Sequence, residues 1–341
     1  MSRVYLDHAA TSPLRPEARA AMEEGFAIWA NPSSPHAEGR KARAALEDAR
    51  ERCKKALDWK GELIFTSGAS EAAALALHRA KAGARLVSAV EHDCILNAVP
   101  DAERLPVNQS GALDMEILAE AVEREKPLVA IQHVNSETGI VQDLPAIANV
   151  IGKAGGLLLA DCAQSAGKYP LPPCDMAIVS AHKFGGPIGI GALLVRDYAM
   201  LEPVGGHERG YRRGTENLPS AMGMAAALEA EAWTHLEEHD ISEFRSALSE
   251  YHLVGAEGAR HIVALTHPSM SGTAQVLRLD MAGFAVSQGS ACSSGTMKTS
   301  HVLKAMALDD AIATRTIRVS LGWNTAVSEL DAFADAWSKL T

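Results

Sequence analysis

Aromatic side chains are scarce in this 341-residue sequence, at 5%, so its interior has to be built from Ala, Leu, Ile, Val and Gly. Positive charge is not in excess either. The 32 Lys plus Arg against 42 Asp plus Glu leave a formal charge of −10, which removes the electrostatic reason to expect nucleic acid or an anionic membrane as a standing partner. No apolar run approaches the roughly 18 residues of a membrane span, and no apolar segment of the secretory kind follows Met1. Cys53, Cys94, Cys162, Cys174 and Cys292 are odd in number and none has CxxC spacing; they read as reduced thiols of a soluble cytoplasmic protein, not as a disulfide framework or a zinc site. Motifs of nucleotide and zinc chemistry are missing. There is no Walker A loop and no HExxH, and Gly186-Pro187-Ile188-Gly189-Ile190-Gly191 has the wrong spacing for GxGxxG and precedes a strand instead of a helix.

What is present is an alternation. The length corresponds to about two domains. Short apolar runs at Leu63–Thr66, Leu86–Val90, Leu128–His133, Leu157–Asp161, Met176–Val179 and Gly191–Val195 are separated by helical stretches at Glu71–Lys81, Asp93–Val99, Asp114–Arg124 and Leu144–Ala154. Continuous apolar strands joined by helices predict an α/β fold with a mainly parallel sheet covered on both faces. Leu218–Glu238, with one Gly and no Pro after Pro219, reads as a single long helix leading into a second, smaller α+β part. There, strands are expected at Ile262–Thr266, Ala285–Ser287 and Thr316–Ser320, and helices at Ile241–Tyr251, Gly272–Met281, Thr299–Ala307 and Ser328–Lys339.

In a parallel sheet, ligands bind beyond the carboxyl ends of the strands, and here those ends are polar. Thr66-Ser67-Gly68-Ala69-Ser70-Glu71 turns from strand to helix on small residues, the geometry of an anion site. Glu91-His92, His133-Val134-Asn135, Asp161-Cys162-Ala163-Gln164 and Ser180-Ala181-His182-Lys183 follow four further strands. Any one of these has a bland explanation as a cap or a solvated loop. Their convergence on one crevice does not, because burying His, Asp and Lys together is costly unless they bind one another or a ligand. An anion cradle, a carboxylate and an amine are what pyridoxal 5'-phosphate needs.

With these residues in view, the sequence resembles the cysteine desulfurases of the nitrogen-fixation and iron–sulfur type, within the class V aminotransferase family. The resemblance rests on Tyr5–Thr11, Asn31–His36, Thr66–Glu71, His133–Gly139, Asp161–Lys168, Ser180–Gly191, Gly206–Asn217, Gly289–Gly295 and Ile317–Gly322, in family order. It implies the pyridoxal-phosphate fold type I: a large domain at 13–235 with a seven-stranded sheet, and a small one formed by 1–12 and 236–341. It also implies a role for each matching residue. Lys183 would carry the cofactor, Asp161 would pair with its ring nitrogen, Gln164 with its phenolic oxygen, and His92 would lie over the ring and help move protons. Ser70, with Ala69 beside it, Ser180 and His182 would hold the phosphate, and Thr215 would reach the phosphate site of a neighbouring subunit in a homodimer. Asn135 and Arg318 would hold the carboxylate of L-cysteine.

The resemblance also selects among the thiols. Cys292 lies in Gly289-Ser290-Ala291-Cys292-Ser293-Ser294-Gly295, a stretch poor in apolar anchors, and matches the family's cysteine loop. A mobile, exposed nucleophile is expected there, which takes the substrate sulfur as a persulfide, releases L-alanine and passes the sulfur to an acceptor protein in iron–sulfur cluster or tRNA thiolation pathways. Cys94 and Cys162 are expected to be packing residues, and Cys53 and Cys174 carry no signal. A class V transaminase and a selenocysteine lyase are the alternative activities. His8 stands where many relatives have Asn, Ser70 where many have Thr, and Val204 replaces a glycine before His207. Ending at Thr341, the sequence is shorter than familiar members, in the region where a scaffold protein would dock.

Overall fold

The computed structural model describes residues 3–230, 232–254, 258–288 and 300–340. Its strands are β1 (Val4–Tyr5), β2 (Glu62–Thr66), β3 (Arg85–Ser88), β4 (Glu103–Leu105), β5 (Leu128–Gln132), β6 (Leu157–Asp161), β7 (Met176–Ser180), β8 (Gly191–Val195), β9 (Ile262–Thr266), β10 (Phe284–Ala285) and β11 (Thr316–Ser320). Because β5, β7 and β8 have no polar face to turn to water, every residue in them is buried. They form the middle of a seven-stranded sheet in the order β2-β8-β7-β6-β5-β3-β4. Only β8 runs antiparallel to its neighbours; the remaining pairs are parallel.

Alternate side chains of the sheet feed two layers. Leu63, Phe65, Val129, Ile131, Ala177 and Val179 pack under the helices Pro16–Ile28, Ala37–Ala56 and Leu218–Glu229, while Ile64, Val87, Ile178 and Leu193 pack under Ala69–Arg79. Leu218–Glu229 is buried on almost all sides, and two glycines permit its close approach to Pro16–Ile28. A Cβ on Gly25 would stand 2.6 Å from Pro219 Cα, and one on Gly223 would stand 2.7 Å from Met22 Cγ. The single helix expected over Leu218–Glu238 instead stops at Glu229: Ala230 is extended, Ala232 O accepts from Arg15 Nη2 at 2.8 Å, and a new helix begins at Glu238. Helix propensity loses there to tertiary packing, because Trp233 and Leu236 are drawn into a second core.

That second core gathers Phe244, Phe284, Phe333 and Trp337 around antiparallel β9 and β11. The N-terminal strand joins it, with β1 pairing in parallel with β10 and Asp7 bridging to Ser320. Among other expected elements, the strand at Ala285–Ser287 is found one residue earlier and shorter, and the helix at Asp114–Arg124 contracts to Met115–Ala121. No described helix is long and apolar enough to cross a membrane.

Candidate active site

The carboxyl ends of β2, β3, β5, β6 and β7 open on one cavity of about 950 Å³. Ala69, Ser70, His92, Asp161, Gln164, Ser180, His182, Lys183 and Arg318 all line it. After β2 the turn passes through Gly68, whose φ of +148° leaves open space where a side chain would stand. Glu71 closes this turn, accepting the Ser67 N–H at 2.5 Å and facing Arg212 at 3.1 Å. Gly191, opposite, must be glycine because a Cβ would lie 2.9 Å from Gly68 Cα.

His92 caps the helix Asp93–Ala98, its Nδ1 accepting the Cys94 N–H at 3.1 Å. The ring proton of neutral His92 is therefore on Nε2. Asp161 ends β6, nearly enclosed, and its Oδ1 accepts the Ala163 N–H at 2.9 Å. Burial pushes its carboxyl above the ordinary range, while that N–H, His92 and Lys183 pull it back. Gln164 gives its amide to Ala9 O at 2.9 Å, and its Oε1 is buried without a partner.

A single 3-10 turn after β7, Ala181–Lys183, presents the lysine. Lys183 Nζ donates to Ala9 O at 2.6 Å and Ala10 O at 2.9 Å. His182 bonds Thr11 Oγ1 at 3.1 Å and is held down at about 4 by burial and by the neighbouring Lys183 and Lys168. Behind them, burial lowers Lys168 to about 7, with Lys183 adding to the effect.

Arg318 enters from β11, the second core's contribution. Its Nη1 donates to Ser136 O and its Nη2 to Asp7 Oδ1, both at 2.8 Å, and its Nε is buried without a partner. The structure treats the remaining expected residues differently. Asn135 is buried but its side chain is engaged in its own turn, accepting from Glu137 N and Thr138 N at 2.9 Å each. Thr215 is exposed and away from the cavity lining. Cys292 lies outside the described residues. The stretches on either side of it reach the site: Ser287 exchanges backbone bonds with Arg318, and Ser300 and His301 line the cavity, donating to Glu137 Oε2 at 2.6 Å and bonding Glu91 O at 2.9 Å.

Sequence reasoning passes over Asp7, Ala9, Ala10, Ser136, Glu137 and His301, which complete the site. Asp7, Ala9 and Ala10 lie in the motif Tyr5–Thr11, but nothing local marks them as partners of Arg318 and Lys183. His8, the departure in that motif, is 2% exposed, sits 3.0 Å from Ser12 Oγ, and is lowered to about 4 chiefly by burial.

Comparison with known proteins matches residues 4–333 to the family Aminotransferase class-V. A cysteine desulfurase IscS from Dictyoglomus turgidum is 32% identical over 99% of this chain and 94% of its own length. A cysteine desulfurase from Cereibacter sphaeroides is 35% identical over 97% of this chain and 94% of its own length. Among solved structures, a NifS-like protein superposes with a TM-score of 0.88 at 28% identity, covering 98% of this chain and 97% of that one. SspA in complex with cysteine gives 0.83 at 32% identity, covering 95% and 100%.

Proposed function

We propose, for a chain that belongs to the class-V aminotransferase family, the activity its relatives are named for: it is a cysteine desulfurase, with Lys183 and Cys292 as its working groups. The observation that carries this reading is the meeting of Lys183, Asp161, His92 and Arg318 around one cavity. The residues fit pyridoxal phosphate. Gln164 Oε1 is an orphaned buried atom beside Asp161 and Lys183 in the cavity wall, and the side-chain-free turn at Gly68 leaves room at a helix N-terminus for an anion. Lys183 would tether the cofactor, Asp161 would hold its ring nitrogen, Gln164 its phenolic oxygen and His92 its face, with Ala69, Ser70, Ser180 and His182 at the phosphate. When bound, it supplies an electron sink for the pair left at the substrate's Cα.

The chain's own groups supply the rest. Arg318 takes the substrate carboxylate, a planar fork to a planar acid, from a position fixed by Asp7 and Ser136. Lys183 Nζ takes the Cα proton and holds it for return. The Cys292 thiolate attacks the substrate sulfur, the Cβ–S bond breaks with its electron pair left on the carbon side, and the sulfur remains on Cys292 as a persulfide while the carbon skeleton, taking one proton at Cβ and the one returned to Cα, leaves as alanine. An acceptor then removes the sulfur. The large unit at 13–235 and the small one from 1–12 with 236–341 are part of this reading, supported by the pairing of β1 with β10. So is a homodimer, supported by the exposure of Thr215 away from the cavity of its own chain.

The test is to incubate the purified protein with L-cysteine and measure alanine and sulfide in the parent, Lys183→Ala and Cys292→Ser. Both variants are expected to lose sulfide release. Sulfide at the parent rate from Cys292→Ser would sink the persulfide route, and conversion of L-cysteine, with a 2-oxo acid as amino acceptor, to its own 2-oxo acid with the Cβ–S bond intact would favour a transaminase.

A further inference from the structure

Glu91 is fully buried in the wall of the cavity, and the mechanism above does not use it. Its Oε1 accepts the Gln132 N–H at 2.8 Å, and Gln132 is the register partner of Asp161 across β5 and β6. Its Oε2 has no hydrogen-bond partner. Two carboxyl groups therefore flank the end of β5, Glu91 beyond β3 on one side and Asp161 at the end of β6 on the other, and among the described residues no Lys or Arg forms a salt bridge with Glu91. A fully buried carboxylate with an unpartnered oxygen, no cation and a second carboxyl nearby is disfavoured in its charged form, so one of the pair keeps a proton.

The surroundings decide which. Asp161 has the Ala163 N–H, with His92 and Lys183 favouring its charge. Glu91 is faced by Asp161 from β6, by His92 and Cys94 from the following helix, by Ser88 from β3, and by His301, whose Nε2 bonds the Glu91 carbonyl rather than its carboxyl. Its burial first, and then the Asp161 charge, favour the protonated form and outweigh the Gln132 N–H, His92 and Ser88, which pull the other way, and no lysine is among its partners as Lys183 is among those of Asp161. We propose that Glu91 is the neutral member of this acid pair and a positioning residue, which leaves the single negative charge on Asp161. The inference deepens the reading above, because an ionised Asp161 is what a cationic ring nitrogen requires.

The sign for stability follows. A carboxyl that is protonated when folded gives up its proton on unfolding above the ordinary carboxylate range, so its contribution is full below about pH 4.5 and falls as pH rises, by up to about tenfold in the folded-to-unfolded ratio per pH unit. Glu91→Gln, which keeps a neutral donor and acceptor, removes that slope. In cofactor-free protein, denaturant unfolding of the parent is expected to weaken relative to Glu91→Gln between about pH 5 and pH 8. The infrared difference between the two at pH 7 is expected to show loss of a protonated-carboxyl band. A flat stability difference, or loss of a carboxylate band alone, overturns the proposal. In cofactor-loaded protein, the pH titration of the visible absorbance is expected to coincide in parent and Glu91→Gln; a displacement of a pH unit or more means Glu91 was charged, and also overturns it. A parent that takes up no cofactor counts against the functional reading, while the cofactor-free measurements still decide the state of Glu91.

Discussion

At the scale of the residue, the departure from the family pattern at His8 is tied to the first glycine after β11. A Cβ on Gly322 would lie 2.0 Å from His8 Nδ1, inside the buried imidazole. Gly322→Ala is therefore expected to destabilise by about 1–3 kcal/mol through overpacking, and to cost much less in a His8→Ala background. A denaturant-unfolding cycle over the four proteins reads that coupling directly. Arg318→Lys gives a different signature. It keeps the charge but loses the fork, so KM for L-cysteine is expected to rise about ten- to a hundredfold, the equivalent of roughly 1.5–3 kcal/mol for a charged hydrogen bond, with the absorbance of bound cofactor unchanged. Steady-state kinetics beside a spectrum checks it. Residues of this kind are partly legible in the sequence. Lys183, Asp161 and His92 declare themselves as polar groups at the ends of apolar runs, whereas Asp7 and Glu91 acquire meaning only from partners brought together by the fold.

At the scale of the element, periodicity works where burial is complete. β6, β8 and β9 fall on their expected residues because their apolar runs leave no choice of face, and β11, Thr-Ile-Arg-Val-Ser, does so by alternation. β4 is not visible, being three residues of which two are charged, and it exists because β3 offers it an edge. The helix end at Glu229 is equally invisible, since a carbonyl near Ala232 answers to Arg15, far away in sequence. The loop carrying Thr215 shows how such distant ties fix an element. Glu208, with a left-handed φ of 47°, accepts from Arg50 Nη1 at 2.7 Å and Nη2 at 3.1 Å and from Phe65 N at 2.9 Å, all buried. Arg50→Met leaves that carboxylate without its cation and is expected to cost about 3–5 kcal/mol, measured as a lowered denaturant midpoint; Arg50→Met with Glu208→Leu should recover part of the loss.

At the scale of the whole molecule, the proposed homodimer makes a prediction that no single chain can. If Thr215 serves the neighbouring subunit, Lys183→Ala and Thr215→Ala homodimers each have two damaged sites. A mixed dimer then has one intact site and one doubly damaged site. Refolding the two variants together is expected to restore desulfuration well above either alone. Additive rates equal to the separate variants would place Thr215 in its own chain's site or in none.

The pairing of β1 with β10, and of Asp7 with Arg318, has a consequence for the order in which the molecule is made. The first strand leaves the ribosome before any of the large sheet, yet its partners appear only after Phe284 has been added. Until then it is an unpaired edge: the carbonyls of Ala9 and Ala10 meet their donors, Gln164 and Lys183, earlier, but the carboxylate of Asp7 waits for Arg318. Long-range closure of this sort is slow, and a nascent chain that has already folded its sheet still lacks the arginine at position 318. Catalytic competence is thus acquired late in synthesis, when the opposite regions of the chain meet.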